Sequence, residues 1–380
     1  MIHTLEIMKS LSSEHINSLL TAFNFTEDNI NYLLDSNREH CSISSSVCNG
    51  IPTVTVCKWN FNDYRLVFRM NPQTLLTGQS SVDLFIASPN NVCLLQQRFQ
   101  EVIGVHLHNL DIPNVLELSQ LSHYKCRRID YTFDFQFDDQ RDVDTFCNLT
   151  KKTSKFIRTT LRRCNTLRQM DQSTAEANKS VKVMFYDKRK QIAQTNRYYS
   201  RHVEDLLNQA NGILRMEVQC HKSKIESLRK NYGFSSKCIM NYLSENIAAD
   251  VLLKYYDNSV GCGDFYSLYH AKRIIQQSDL TNLMKDKLGR FLQLIAQARH
   301  VSDGKEQFKR GTPIKGNNEN TVLGSINTFR SRLKLLQQLN INSVCIPKDW
   351  RIQYFRNPIY QLEMHISEIR REQERRGLTQ

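Results

Sequence analysis

Between residues 127 and 135 the chain alternates apolar and polar side chains without a break, which is the pattern of a half-buried β-strand. One face is apolar and carries Ile129, Tyr131, Phe133 and Phe135. The other face is polar and carries Arg128, Asp130, Thr132 and Asp134. Two interpretations stay open: the acids keep one face of the strand in water, or they hold a divalent metal ion, because hard cations take oxygen ligands.

Several other segments alternate in the same way, each with one apolar and one polar face. They are residues 1–9, a hairpin formed by 54–59 and 64–70, and two later strands at 181–188 and 213–221. Strands with one apolar and one polar face are typical of antiparallel sheets that are covered by helices. The sequence therefore predicts an α+β fold with a mostly antiparallel sheet backed by helices.

The character of the chain changes after about residue 235, where helical periodicity replaces alternation. We expect a catalytic domain over 1–235 and a helical region over 236–300. Residues 301–322 are rich in Gly, Asn and Lys and are predicted to be a linker. Residues 323–380 are predicted to be a C-terminal helical region that contacts DNA.

The net charge of +13 indicates a polyanionic partner, with nucleic acid first and an anionic membrane surface second. No apolar run approaches bilayer length, and the 11 cysteines include no CxxC pair, so we expect a cytoplasmic protein without a membrane partner. The basic side chains expected to bind DNA are Arg128, Lys151, Lys152, Arg158, Arg162, Arg163 and Arg215. A basic run such as residues 151–168 is more often simply a solvated surface.

The polar faces of three predicted strands combine into a candidate active site. Its members are Asp130, Asp134, Tyr186, Lys188 and Glu217. A tyrosine beside a metal held by carboxylates can attack a phosphodiester, and a neighbouring lysine can stabilise the developing charge. In the plainer interpretation Tyr186 is a structural aromatic residue, and Glu217 pairs with Arg215 or Arg128.

A competing metal site is the pair His106 and His108, whose spacing matches the ligands of HUH-type nickases if the segment is a strand. The segment ends a helical pattern, which argues against that placement. Tyr198 and Tyr199 could stack on bases or act as a second nucleophile, but ordinary helix positions are the simpler interpretation.

Three motifs together resemble the replication initiators of filamentous phages and related plasmids, the gene II/gene X class. They are Arg128-Ile129-Asp130, Tyr186-x-Lys188 and Leu214-Arg215-Met216-Glu217. The resemblance covers most of the chain at low identity. Its specificity comes from the order and spacing of the motifs.

The resemblance implies rolling-circle replication in a bacterial host, with site-specific nicking and resealing of origin DNA through a 5′-phosphotyrosine. It implies Tyr186 as nucleophile, Lys188 as helper cation, and Asp130 and Glu217 as ligands of Mg²⁺ or Mn²⁺. Double- and single-stranded origin DNA, a host helicase and a host DNA polymerase are the implied partners. Gln191 departs from the pattern, which has an acid there, and the role of Asp134 depends on strand geometry alone.

A non-enzymatic DNA-binding regulator is the main alternative function. The spacing of residues 323–356 resembles a helix-turn-helix, and the acidic strand face is structural in that case. A relaxase or transposase-like nickase that uses His106 and His108 is the third possibility. A protein–DNA adduct that survives denaturation separates the nickases from the regulator.

Overall fold

The structure is a computed structural model, and it describes residues 1–35, 40–60, 63–108, 110, 115–153, 162–163, 173–177, 179–196, 200–314 and 317–375. Nine strands form one sheet in the order β2-β3-β4-β1-β5-β9-β8-β7-β6, with antiparallel pairing throughout. The strands are β1 (Ile2–Leu11), β2 (Cys41–Ser45), β3 (Thr53–Asn60), β4 (Asp63–Met70), β5 (Lys125–Gln136), β6 (Arg162–Arg163), β7 (Ser173–Ala177), β8 (Val181–Asp187) and β9 (Ile213–Cys220). Two small two-stranded sheets follow, β10 (Phe265–Tyr266) with β13 (Tyr354–Phe355), and β11 (Thr312–Ile314) with β12 (Asn317–Val322).

Helices cover the sheet and make up most of the C-terminal part of the chain. They are α1 (Ile16–Ala22), α2 (Glu27–Asp35), α3 (Pro72–Thr77), α4 (Pro89–Leu107), α5 (Val115–Leu118), α6 (Gln140–Thr153), α7 (Lys188–Thr195), α8 (Arg201–Gln209), α9 (Lys222–Asn231), α10 (Glu245–Ser259), α11 (Leu268–Gln277), α12 (Asn282–Ala298), α13 (Val301–Arg310), α14 (Ile326–Gln338) and α15 (Ile359–Arg375). The predicted α+β class with an antiparallel sheet and backing helices is confirmed.

The alternating stretch at 127–135 forms β5, which lies between β1 and β9 in the middle of the sheet. Its apolar side packs against helices of the C-terminal part, as the contact between Phe135 and Tyr256 shows, with ring centroids 5.5 Å apart. On the same side Phe185 of β8 meets Phe146 of α6 at 6.4 Å. One apolar core therefore continues from the N-terminal strands to the last helix.

Some elements differ from the expectation. Residues 41–45 form an edge strand that the alternation pattern does not predict, because backbone pairing with β3 compensates for its polar sequence. Residues 301–310, expected to belong to a linker, form α13, whose Val301 and Phe308 are buried. Strand β8 ends at Asp187, so Lys188 begins α7 instead of ending the strand. No helix among the described residues is long and apolar enough to cross a membrane.

The polar side of the central strands is buried rather than solvated. The segment between α3 and α4 crosses this side, where Val82 packs with Ile192 of α7 and Leu206 of α8. The same segment is anchored to β1 by backbone hydrogen bonds between Phe85 and Ile2. The sheet therefore has a second, small apolar layer over polar residues, which sequence alternation did not predict.

Candidate active site

Three adjacent strands bring the predicted polar residues together. In the β5–β9 register Thr132 lies opposite Glu217 and Asp134 lies opposite Arg215. In the β8–β9 register Tyr186 lies opposite the same Arg215. Because side chains alternate across a strand, these register positions present their side chains on one face of the sheet.

Tyr186 and Glu217 are in direct contact. The phenol of Tyr186 donates a hydrogen bond to Oε2 of Glu217 at 3.1 Å. The amide of Gln219 donates to Oε1 of the same carboxylate at 2.7 Å, and Nδ1 of His3 lies 3.8 Å from Oε2. Glu217 is thus placed to accept the phenol proton of Tyr186, and Gln219 holds its carboxylate in position.

Two arginines bind the two predicted aspartates in parallel forks. Arg128 donates to both oxygens of Asp130 at 2.7 and 2.6 Å, and Arg215 donates to both oxygens of Asp134 at 2.7 Å each. Bidentate pairs of this kind are the strongest arginine–carboxylate geometry. Arg128 and Arg215, predicted to bind DNA, are thus internal partners of the acids in this structure.

Burial dominates the proton equilibria of the site. Burial and then the charge of Glu217 raise the pKa of Tyr186 well above its ordinary value. Burial and the charge of Glu217 also raise the pKa of Asp130 to about 8, against the opposing effect of Arg128. Asp130 and Glu217 interact directly, and two adjacent buried carboxyls cannot both ionise freely. The pair therefore binds a proton more tightly than isolated carboxyls do.

Lys188 lies beside this network although it is the first residue of a helix. Burial, and next the charge of Arg215, lower the pKa of Lys188 to about 7. Its ammonium donates to Oε1 of Gln191 at 2.9 Å, which explains why an amide suits that position. Asp187 caps α7 by accepting from the backbone N–H of Lys190 at 3.1 Å.

The guanidinium of Arg215 has a hydrogen-bond donor that no described residue uses. Its side chain is fully buried, and its Nη2 also donates to the carbonyl of Val82 at 2.5 Å. Its Nη1 has no hydrogen-bond partner among the residues that the structure describes. A buried, unsatisfied guanidinium N–H is costly, and it suits an anionic oxygen that enters the site.

The other predicted residues lie elsewhere. Lys151 and Lys152 are at the end of α6, and Lys151 binds Oδ1 of Asn148 at 3.3 Å. Arg158, Tyr198 and Tyr199 are outside the described residues. The backbones of Arg162 and Arg163 form β6 at the sheet edge opposite β2.

The histidine pair is not on a strand. His106 is in the last turn of α4, and its Nδ1 contacts the carbonyl of Ala22 at 3.0 Å. His108 is the C-cap of that helix and contacts the carbonyl of Val105 at 2.7 Å. Residues two apart on a helix do not face each other, so the strand placement that a shared metal required is wrong.

Sequence reasoning missed His3, Gln219 and Asp187 as members of the site. His3 reaches Glu217 because β1 pairs with β5 through an irregularity between Ile2 and Thr4, which no local pattern shows. Asp187 could have been found, since an aspartate directly before a Lys-Arg-Lys-Gln run is a typical helix N-cap.

The predicted metal ligands are already engaged. Both oxygens of Asp130 and of Asp134 accept from arginines, and Glu217 accepts from Tyr186 and Gln219. Within the described ranges, no group of three or more His, Cys, Asp or Glu side chains could hold a metal ion. In this arrangement guanidinium groups occupy the oxygens of both aspartates, so a metal could bind them only after those pairs open. A requirement for Mg²⁺ or Mn²⁺ stays a prediction.

Comparisons of the chain with protein-family models, with curated proteins and with solved structures found no match.

Proposed function

We propose that the protein is a rolling-circle replication initiator of a phage or plasmid, which nicks and reseals origin DNA through a 5′-phosphotyrosine at Tyr186. The observation that carries the proposal is the 3.1 Å hydrogen bond from the Tyr186 phenol to Glu217. A nucleophile within hydrogen-bond reach of a general base is the arrangement that covalent catalysis requires. The reaction takes place in the cytoplasm of a bacterial host, where a helicase unwinds the nicked duplex and a DNA polymerase extends the nicked strand.

In the proposed step Glu217 accepts the phenol proton while the Tyr186 oxygen attacks the scissile phosphorus. The O–P bond to tyrosine forms, the bond from phosphorus to the 3′ oxygen breaks, and that oxygen takes up a proton to leave a 3′-OH. The free Nη1 of Arg215 donates to a non-bridging oxygen, and Lys188 adds positive charge nearby. Resealing is the reverse of this step, with the 3′-OH as nucleophile.

For this reaction to occur, DNA must reach the phenol of Tyr186. Tyr186 is 9% exposed, and the adjacent Arg215 is bound by the carbonyl of Val82. The proposal therefore requires that the segment between α3 and α4 is displaced when DNA enters. Val82 belongs to a small apolar cluster, whereas Phe85 of the same segment belongs to the main core, so the displacement must be confined to the residues before Phe85.

The burial of Tyr186 also supports a second candidate function, a DNA-binding regulator without chemistry. In that case the phenol, the acids and the arginines form a structural network on the covered face of the sheet. The charge of +13 suits both candidates.

A covalent adduct decides between the two. Wild-type protein is incubated with supercoiled DNA of the replicon that encodes it, with Mg²⁺ or Mn²⁺, and then denatured. We expect a relaxed product and a DNA adduct on Tyr186, identified by mass spectrometry. Tyr186→Phe should abolish the adduct, and Tyr354→Phe, which alters a tyrosine that is 49% exposed, should not. An adduct on the Tyr186→Phe protein rules out this nucleophile, and no adduct on the wild type supports the regulator.

A further inference from the structure

A cleft of about 1160 Å³ lies between α11, α12 and the chain segment 344–353. Its volume exceeds the roughly 300–1,000 Å³ of typical small-molecule sites, so part of a polymer fits it better than a small metabolite. None of the candidate active-site residues lines it. The cleft is therefore a separate feature of the molecule.

The charge of the cleft is strongly positive. One carboxylate lines it, that of Asp349. Five cationic side chains line it: Lys152, Lys272, Arg299, Lys348 and Arg351. Among the residues described, none of the five lies within 4.0 Å of a carboxylate as an ion pair. Five cations that converge beside a single carboxylate attract a polyanion.

Two aromatic rings are placed among these cations. Tyr269 is 71% exposed, and Trp350 forms part of the opposite wall. The ammonium of Lys152 lies 4.7 Å from the centroid of the Trp350 ring, so this ring is already used by a cation. Proteins bind unpaired bases on aromatic rings and the neighbouring phosphates on cations placed between those rings.

From this arrangement we infer that the cleft binds single-stranded nucleic acid, with phosphates on the lysines and arginines and bases on Tyr269 and Trp350. Unpaired bases are required, because bases inside a duplex stack on each other and not on protein rings. That the strand is DNA depends on the proposed function, whereas the class of ligand depends only on the cleft.

Helix α6 connects the cleft to the candidate active site. Its first residue, Gln140, donates to Oδ2 of Asp187 at 2.7 Å, next to Tyr186 and Lys188. Near its other end, Lys152 lies in the cleft. Fourteen helical residues span about 20 Å, so the cleft and the candidate active site are well separated.

The chain has two tryptophans, which makes a direct test possible. In a Trp59→Phe background Trp350 is the single tryptophan, and titration with a short oligothymidylate should quench its fluorescence. Lys272→Gln combined with Lys348→Gln should weaken binding at least about fivefold and lower the slope of log affinity against log salt by about 1.4. Arg273→Gln with Lys287→Gln removes the same charge from α11 and α12 outside the cleft and should leave affinity nearly unchanged.

Absence of quenching, or equal losses in the two double variants, overturns the inference. Inorganic polyphosphate is the second probe. If it displaces the bound oligothymidylate as well as unlabelled oligothymidylate does, the site recognises charge alone and the role of the rings is refuted. Measured by the anisotropy of a dye-labelled oligothymidylate, Trp350→Ala should lower affinity about tenfold, and Trp350→Phe should restore most of it, which separates stacking from misfolding. Quenching without a Tyr186 adduct refutes the nicking function alone, and an adduct without quenching refutes the cleft alone.

Discussion

Arg215 and Asp134 face each other across the β5–β9 pairing and are joined by two hydrogen bonds of 2.7 Å. Arg215 is fully buried, while the side chain of Asp134 is 21% exposed. The carboxylate lets a guanidinium remain charged inside the sheet, since burial works against that charge and Asp134 raises the pKa of Arg215 above its ordinary value. The pair determines whether a cation is present beside Tyr186.

Removal of Asp134 should therefore destabilise the fold. Asp134→Leu leaves the charge of Arg215 buried without a partner, and we expect the free energy of unfolding to fall by about 3–5 kcal/mol. Adding Arg215→Met should recover most of this loss, because no buried charge then remains. Urea unfolding followed by circular dichroism measures both changes. As a control, Glu101→Leu breaks the exposed pair with Arg98 and should have little effect; an equal loss there contradicts the argument.

The pH dependence of stability should reveal the buried Lys188. Burial lowers its pKa from 10.5 to about 7, so between these values the unfolded chain holds a proton that the folded protein lacks. The free energy of unfolding must then rise with pH across this window, by up to about 1.4 kcal/mol per pH unit. Relative to Lys188→Met, the wild type should gain stability from pH 7 to pH 10. As a control, Arg189→Met removes an exposed positive charge from the same helix and should keep the wild-type pH dependence.

The turn before β9 should tolerate glycine alone. Gly212 has φ of +71°, and a Cβ there would meet the carbonyl oxygen of Phe137 at 2.2 Å. We expect Gly212→Ala to cost more than about 3 kcal/mol, since strain and a backbone clash add. Gly78 has a similar φ of +75° but open space around it, so Gly78→Ala should cost only about 1–2 kcal/mol. Equal melting temperatures for the two variants would show that the clash is relieved.

Metal binding should depend on proton release from Asp130 and Glu217. Burial and Glu217 raise the pKa of Asp130 to about 8, so a divalent cation that binds this pair must displace the proton that the pair retains. Affinity for Mn²⁺, measured by calorimetric titration, should increase between pH 6 and pH 9. Asp130→Asn and Glu217→Gln should each remove that increase. A pH-independent affinity would place any metal at another position.

Much of the polar face could be predicted from the sequence. Alternation is a local property of an extended chain, so residues two apart on β5, β8 and β9 were assigned correctly to one face. Helical periodicity likewise predicted the helix that ends at the histidine pair and the helices after about residue 235. Lys188 was placed on the strand because period two was continued past Asp187, where a side-chain cap starts a helix instead.

Other features depend on contacts that no local pattern encodes. Register decides that Arg215 meets Asp134 and not Asp130, because a shifted pairing would place a different β5 residue opposite the guanidinium. The pairing of β1 with β5 brings His3 to Glu217, and the segment that carries Val82 covers the face. The basic cleft combines Lys152 with residues more than a hundred positions later.

The sequence by itself thus determined the class of fold and which side chains share a face, since both follow from the geometry of a single strand or helix. The tertiary structure alone decided which acid meets which base, that the polar face is buried, and that distant cations converge on a cleft. The physical reason is that ion pairing and desolvation depend on distances in space, and these are set by strand register and helix packing across the whole chain.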